Sequence, residues 1–307
     1  MYTNLYYLLK PFISRRIQIL LRRVWIWQKR KKYANVWPID ERAARRPEGW
    51  AGWPEDKRFA IVITHDVETS LGVEKCIPLA EIEKGFGFRS SFNFVVEDYP
   101  TPSKLFEFLR NNGFEIGLHG LSHNENMFKS KKAFLKKSIR INCYLKDWGC
   151  VGFRAPSMYH NLDWMYELNI EYDSSTFDTD PFEPQSDGVG TIFPFWVQKN
   201  SSSKGYVELP YTLPQDFTLF VLMKEKSIDI WKRKLDWIVE NGGMALLNTH
   251  PDYMNFDGKK LGIEEYPAIY YEEFLEYIRS RYKDRYWNVL PKEIARFWVD
   301  EIKGKDY

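Results

Sequence analysis

The stretch RFAIVITHDVETSLG, residues 58–72, is the part of the chain from which the fold can be worked out. Its apolar run, rich in β-branched residues and ending at Thr64, is typical of a strand that is buried on both faces. His65, Asp66 and Glu68 follow at once. Charged groups beside a core are costly unless they are paired or bind a cation. We therefore expect chemistry where this strand ends.

Six further strand-like segments follow the first one, and helix-like segments lie between several of them. The predicted strands are 59–64, 90–96, 114–120, 151–156, 169–175, 206–212 and 244–250. The predicted helices are 74–84, 102–112, 129–147, 161–168, 227–240 and 270–283. This alternation indicates a mostly parallel sheet. Seven strands favour an α/β fold in the form of a distorted (β/α) barrel over an open sheet.

The chain before the first strand has a different character. Residues 13–32, ISRRIQILLRRVWIWQKRKK, predict a basic amphipathic helix. We favour packing of its apolar stripe on the main domain, and the alternative is contact with an anionic membrane surface. The Pro- and Trp-rich residues that follow resemble an extended wrap. We therefore divide the chain into an N-terminal helix and wrap, 1–57, and a barrel domain, 58–307.

Charge and cysteine content limit the class of protein. The 307 residues carry a net charge of +2, but residues 1–50 hold 12 Lys and Arg against three Asp and Glu. The remainder is therefore acidic, at −7, and offers no second positive face for nucleic acid, so no nucleic-acid partner is expected. Three cysteines without a C-x-x-C pair favour a reducing compartment. No apolar stretch approaches the ~18 residues of a membrane span. We expect a cytoplasmic protein, with contact at the inner membrane face through residues 13–32 as an alternative.

Polar residues gather at the ends of the predicted strands, where parallel α/β folds place their sites. The sharpest motif is LHGLSH, in which His119 and His123 would share one face of a helical turn. Asp66 and Glu68, two residues apart, point the same way on an extended segment. Two histidines and one carboxylate form a metal site with open positions for water and substrate, and the second carboxylate could act as a base.

The motifs THDVE, HGLSH, RAP, YDSS and LLNTH occur in that order within residues 58–290. In this order they resemble the motifs of polysaccharide deacetylases, which are metal-dependent carbohydrate esterases. The resemblance implies that Asp66 is the general base and that Arg154 pairs with it. It also implies that His250 is the general acid, oriented by an acidic residue of YDSSTFDTD. We favour Asp173 over Asp178 and Asp180 for this role.

The same resemblance implies that Glu68, His119 and His123 hold the metal. Glu68 departs from the usual Asp, and this change keeps a catalytically inactive glycan-binding protein open as an alternative. Zinc suits the ligand set best, and cobalt, nickel and iron are also compatible. The implied activity is removal of N-acetyl groups from an amino sugar in a polysaccharide or glycolipid, so the expected partner is an acetylated glycan. The rival activity is hydrolysis of a non-sugar amide or imide on the same scaffold. Phe195, Trp196 and Tyr211 could form a sugar platform or pack in the core.

Overall fold

The computed structural model describes residues 14–123, 127–183, 185, 187–198, 205–258 and 260–303. One curled β-sheet lies at the centre of the protein. Its strands, with two short ones that form a separate pair, are β1 Phe59–Val67, β2 Ser91–Phe94, β3 Glu115–Leu118, β4 Gly152–Phe153, β5 Tyr172–Asp173, β6 Phe195–Gln198, β7 Gly205–Glu208, β8 Met244–Thr249, β9 Met254–Asn255, β10 Tyr266–Pro267 and β11 Tyr286–Asn288.

The sheet has the order β8-β1-β2-β3-β4-β5-β7, and all of these neighbours are parallel. Strand β6 pairs antiparallel with β7, and β11 lies beside the first half of β1. After β7 the chain reaches β8, because the backbone N–H groups of Thr212 and Leu213 both donate to the Leu246 carbonyl at 3.1 Å. These bonds close the curl, so the predicted distorted barrel is confirmed, and each predicted strand overlaps one of seven barrel strands.

Helices cover the outside of the sheet. They are α1 Arg15–Lys32, α2 Ser70–Phe86, α3 Ser103–Asn111, α4 Lys131–Trp148, α5 Leu162–Met165, α6 Asp229–Asn241, α7 Ile269–Arg281 and α8 Pro291–Lys303. Local signals set some of their ends: the Thr69 hydroxyl caps α2 by accepting from the Gly72 N–H at 3.4 Å, and Ser130 caps α4 in the same way. Helix α8 and the short strands β6 and β9–β11 are not among the predicted elements.

Strand β1 is buried along its whole length, as its apolar sequence predicts. Successive side chains of a strand point to opposite faces, so His65 and Asp66 separate. His65 faces outward, where its Nε2 contacts Glu83 Oε1 of α2 at 2.7 Å and its Nδ1 contacts the Thr249 hydroxyl at 2.7 Å. His65 is therefore part of the packing between sheet and helix, while Asp66 turns to the inside of the barrel.

The N-terminal helix α1 packs on the barrel through a different face from the one we expected. Ile19 and Ile26 are buried. The predicted apolar stripe consists of Ile13, which lies outside the described residues, and of Ile17, Leu20, Leu21 and Val24, which are all exposed. The expected packing of that stripe on the main domain is therefore wrong. Among the described residues, no helix combines the length and the apolar character needed to cross a bilayer.

The wrap that follows α1 reaches the other side of the barrel. The Trp50 and Trp298 rings lie 4.9 Å apart, so the wrap packs on α8. Trp53 is buried and donates its indole N–H to the Gly242 carbonyl at 2.9 Å. These rings supply the apolar area that the wrap lacks in aliphatic side chains. The division of the chain at residues 57 and 58 stays a prediction.

Candidate metal centre and active site

Three side chains that could hold a metal ion meet at the carboxyl ends of β1 and β3. Glu68, His119 and His123 each place one ligand atom within 4.8 Å of the others. Glu68 follows β1, and the two histidines lie on the loop after β3. One carboxylate and two imidazoles are donor types that suit zinc, and three ligands would leave coordination positions open. The donor atoms present therefore fit a divalent ion.

The loop after β3 brings the two histidines together without a helix. Residues 119 and 120 are irregular and residues 121–123 form bends, so the predicted helical turn is wrong within this stretch. The observed change of chain direction depends on Gly120. Its φ is +73°, and a Cβ at this position would lie 2.9 Å from Pro156 Cδ. The His119 and His123 rings consequently lie 5.5 Å apart.

His119 is oriented by the backbone of the next strand. Its Nδ1 donates to the Arg154 carbonyl at 3.1 Å, so Nε2 is left as the nitrogen with a free lone pair. Burial, together with the neighbouring His123, lowers the pKa of His119 to about 4. A neutral imidazole is the form that binds metal, so at neutral pH this ring needs no deprotonation.

Glu68 is held from three sides. Its Oε1 lies 2.9 Å from His123 Nε2, and its Oε2 accepts the Tyr253 hydroxyl at 2.6 Å. Its backbone N–H donates to Asp252 Oδ2 at 3.0 Å. Burial alone would raise the pKa of Glu68, but His123 outweighs it and holds that pKa well below its ordinary value. The carboxylate is therefore ionised and fixed in position, although it is one methylene longer than Asp.

Asp66 lies deeper in the barrel and is almost completely buried. Its Oδ1 accepts from Asn93 at 2.9 Å and lies 3.4 Å from Arg154 Nη1, and its Oδ2 accepts from Asn248 at 2.8 Å. Burial would raise the pKa of Asp66, but His119, Arg154 and His250 together hold it well below its ordinary value. Since a guanidinium is charged at every relevant pH, Arg154 keeps this carboxylate ionised at neutral pH.

Arg154 is itself fixed by three further partners. Its Nε donates to the Ser174 carbonyl at 2.7 Å, its Nη2 to the Ser174 hydroxyl at 2.6 Å and its Nη1 to the Thr64 hydroxyl at 2.8 Å. A buried guanidinium needs such partners to offset desolvation. Ser174, which follows the YD pair of β5, therefore positions Arg154 rather than His250.

His250 is the remaining polar group at the centre. Its Nδ1 contacts Asp216 Oδ1 at 2.7 Å, and its backbone N–H donates to Asp216 Oδ2 at 2.8 Å. Burial would lower the pKa of His250, but the Asp216 charge outweighs it and raises that pKa to about 10. Its Nε2 lies 3.8 Å from Glu68 Oε1, so a cationic imidazolium stands beside the candidate metal ligands.

The prediction that Asp173 orients His250 is therefore wrong, and neither Asp178 nor Asp180 takes its place. Asp173 accepts the Ser175 hydroxyl at 2.7 Å, Asp178 accepts Lys234 Nζ at 2.6 Å, and Asp180 accepts the Phe182 N–H at 2.9 Å. Each of the three carboxylates is therefore buried and bonded to a partner other than His250. Asp216 contacts His250 instead, because the chain after β7 hydrogen-bonds to Leu246 of β8 and so comes close to the residue that follows β8.

Sequence reasoning missed four residues of this site: Asn93, Asp216, Tyr253 and Asn248. The two asparagines had a detectable signal, since each is a lone amide inside an apolar strand. Asp216 had none, because it caps a short π-helical segment, Phe217–Leu222, that lies 34 residues before the histidine it contacts. The proposed sugar platform does not form either. Tyr211 is fully buried with its hydroxyl on Glu183, and Trp196 lines a groove with Glu171 and Arg296 at the opposite end of the sheet.

No protein-family model and no curated protein matches the sequence. Solved structures do match. A "putative polysaccharide deacetylase" from Mycobacterium smegmatis is 18% identical, with 84% of this chain and 96% of that one covered and a TM-score of 0.64. A "probable Polysaccharide deacetylase" from Pseudomonas aeruginosa PAO1 is 18% identical, with 81% and 93% covered and a TM-score of 0.61.

A third solved structure, Puue Allantoinase, is 17% identical, with 80% of this chain and 92% of that one covered and a TM-score of 0.61. The class that these structures and this chain share is the fold, a curled parallel α/β barrel. Within that class, the chain has the fold of polysaccharide deacetylases, which confirms at the level of the fold the resemblance found in the motifs. Because an allantoinase shares this fold, the substrate has to be argued from the site.

Proposed function

We propose that this protein is a metal-dependent hydrolase that removes N-acetyl groups from an amino sugar in a polysaccharide or glycolipid. The observation that carries the proposal is that Glu68, His119 and His123 form one potential ligand set within 4.8 Å. An ionised carboxylate, Asp66, and a cationic imidazole, His250, stand beside it. A base and an acid with opposite charges are what hydrolysis of an amide needs.

The ligand residues of the proposed enzyme are Glu68, His119 and His123. When bound, a divalent ion supplies Lewis acidity and lowers the pKa of water. Zinc is the metal we propose first, with cobalt, nickel and iron as alternatives that suit the same nitrogen and oxygen donors.

The protein residues provide the proton transfers. Asp66, kept ionised by Arg154 and held by Asn93 and Asn248, accepts a proton from the attacking water. Its oxygens are fixed on three sides, so the carboxylate needs no reorganisation before it reacts. His250 donates a proton to the leaving amine, and Asp216 supports its charged form. Acetate and a free amino sugar are the products.

The same geometry fits attack on other carbonyl groups, and the likeness of the fold to Puue Allantoinase keeps a cyclic amide or imide as the rival substrate. Acetate release from N-acetylated oligosaccharides, measured beside ring opening of cyclic amides, separates the two. We expect turnover of the sugars. Turnover confined to the cyclic amides would replace the proposed activity by the rival one.

Two variants distinguish the residue proposed as the general base, Asp66, from a residue proposed as a metal ligand, His119. Asp66→Asn keeps the size of the side chain and removes the charge, so deacetylation should fall by about 10²–10⁴-fold while the metal content stays at the wild-type level. His119→Ala removes a ligand, so the metal itself should be lost. Elemental analysis of both purified variants, with acetate release, makes the distinction. Full activity of the Asp66 variant would refute the base assignment, and full metal occupancy of the His119 variant would refute the ligand set.

A further inference from the structure

Helix α1 is inverted relative to an ordinary surface helix. Facing the barrel are two apolar side chains, Ile19 and Ile26, with Arg22, Arg23 and Lys29 half-buried around them. Most of the apolar residues face away from the protein. Six of the 13 large apolar side chains exposed in the described part of the chain lie on this one helix: Ile17, Leu20, Leu21, Val24, Trp25 and Trp27.

These six side chains, called here the outer face of α1, are exposed by 44% to 61%. The spacing of 17, 20, 21, 24 and 27 is one helical stripe, so they form a continuous surface. Scattered apolar residues on a protein surface need no explanation, but a concentrated stripe marks an interaction site.

Polar contacts hold the helix in this orientation. Arg15 pairs with Glu264 at 2.6 Å, and Arg30 pairs with Glu225. Arg23 donates to the Val221 carbonyl at 3.0 Å and to the Ile263 carbonyl at 2.9 Å. A rotation of α1 that buried its outer face would break these contacts. The outer face is therefore presented to the surroundings by the fold itself.

The same helix borders the candidate active site. The Arg22 guanidinium lies 4.9 Å above the ring of Phe217, the residue after Asp216. The Phe217 and Tyr253 rings lie 4.7 Å apart, and Tyr253 donates to Glu68. Whatever covers the outer face is consequently brought next to the site.

The charge of α1 indicates which kind of partner contacts its outer face. Residues 14–32 contain eight Lys and Arg and no acidic residue. Of these, Arg16 stands exposed at one end of the outer face and Lys31 and Lys32 at the other. A second copy of the chain would place two such cationic helices against each other. An anionic surface with an apolar interior matches both the charge and the stripe.

Ring contacts agree with this choice. Lys31 Nζ lies 4.0 Å from the centre of the Trp27 ring, and Lys29 Nζ lies 4.3 Å from that of Trp25. Tryptophan with an adjacent cation is the combination that settles at the headgroup level of a bilayer.

We propose that the outer face of α1 lies on an anionic lipid surface and that the enzyme thereby acts on a lipid-linked acetylated amino sugar held in that surface. This inference rests on the proposed deacetylase function for its substrate and on α1 alone for its membrane contact. The lipid anchors the substrate in the same plane as the helix, so the sugar is delivered to the site beside Phe217.

Co-sedimentation of the full-length protein with vesicles tests the contact. We expect binding to phosphatidylcholine vesicles that contain about one third phosphatidylglycerol, weaker binding to phosphatidylcholine alone and loss of binding at high salt. Leu20→Glu with Val24→Glu should lower the partition coefficient at least about tenfold, because two charges then replace the centre of the apolar stripe. Ile139→Glu, a matched change at an exposed isoleucine of α4, should leave binding unchanged.

Three results would overturn the contact: no binding of the wild-type protein to anionic vesicles, undiminished binding of the L20E/V24E variant, or concentration-dependent dimerisation that L20E/V24E abolishes. A thermal melt of the double variant that matches wild type shows that the fold is kept. A vesicle-embedded acetylated glycolipid and a water-soluble acetylated oligosaccharide then separate the two proposals. The double variant should lose turnover of the glycolipid and keep that of the soluble sugar. Vesicle binding by a protein that deacetylates neither substrate would refute the enzyme and retain the contact.

Discussion

Replacing Asp216 by Asn is the sharpest test of the acid assigned to His250. Asp216 is fully buried and contacts the histidine twice, at 2.7 Å through Nδ1 and at 2.8 Å through the backbone N–H. It also accepts the Tyr266 hydroxyl at 3.0 Å. The amide has nearly the same shape as the carboxylate but carries no charge. The change therefore removes the largest of the charges that raise the pKa of His250. Burial, which lowers this pKa, remains, and so do the charges of Glu68 and Asp66, which raise it.

The size of the effect follows from these causes. The pKa of His250 is about 10 with Asp216 in place. Without that charge it should fall toward the ordinary histidine value of about 6.5. At a pH of about 8.5 the wild-type ring would then be almost fully protonated, and the ring of the variant protonated in about one molecule in a hundred. We expect kcat for deacetylation to fall steeply with rising pH in the variant, with its alkaline limb well below that of wild type.

The assay is acetate release across mildly acidic to alkaline pH, with metal content measured on the same samples. A bound divalent ion lowers both pKa values, so the separation between the two profiles is the quantity to compare. Asp236→Asn is the matched control, because Asp236 also accepts a tyrosine hydroxyl, from Tyr277 at 2.7 Å, but contacts none of the site residues named above. Superimposable profiles for wild type and the Asp216 variant would refute the reasoning that this carboxylate sets the protonation of His250.

The same pair makes stability depend on pH. The pKa of His250 in the folded protein, about 10, is higher than the unfolded value of about 6.5. The stabilisation is therefore complete below a pH of about 6.5 and is lost as the pH rises toward about 10. The free energy of unfolding should decrease over this window in wild type and lose this component in the Asp216 variant.

Two further substitutions test the surroundings of the site. Tyr253→Phe removes the 2.6 Å hydrogen bond to Glu68, so metal affinity should fall by about 10–100-fold in a competitive chelation titration, and an unchanged affinity would contradict the role given to that hydroxyl. Lys234→Met removes the partner of Asp178 in a fully buried pair and should cost about 3–5 kcal/mol in the free energy of unfolding, measured in urea. Arg233→Met, an exposed neighbour on the same helix, is the control for Lys234 and should cost little; equal losses in the two variants would show that the ion pair is not the cause.

Much of the architecture was accessible from local patterns. The apolar runs that become β1 and β8 are recognisable because every residue of a strand covered on both faces is apolar or paired. Asp66, Glu68 and His119 were found because they lie at or just beyond the ends of such runs, and His123 because it follows His119 at a spacing of four residues. The exact pairing of Asp216 with His250 was not accessible, since the two residues are separated by helix α6 and meet only when the barrel closes.

Helix α1 shows the same division. Its existence, its basic charge and its apolar stripe follow from the spacing of residues along the chain, which is a local property. Which side of the helix is buried was decided elsewhere, by the carbonyl groups of Val221 and Ile263 and by Glu264 on the rim of the barrel. The succession of strands and helices along the chain, the positions of the loops that carry polar residues and the helical periodicity were determined by the sequence itself. These features depend on neighbours within a few residues. The partner of each buried charge and the outward direction of the stripe were decided only by the tertiary structure, because electrostatic and packing energies depend on distances in space between residues far apart in the chain.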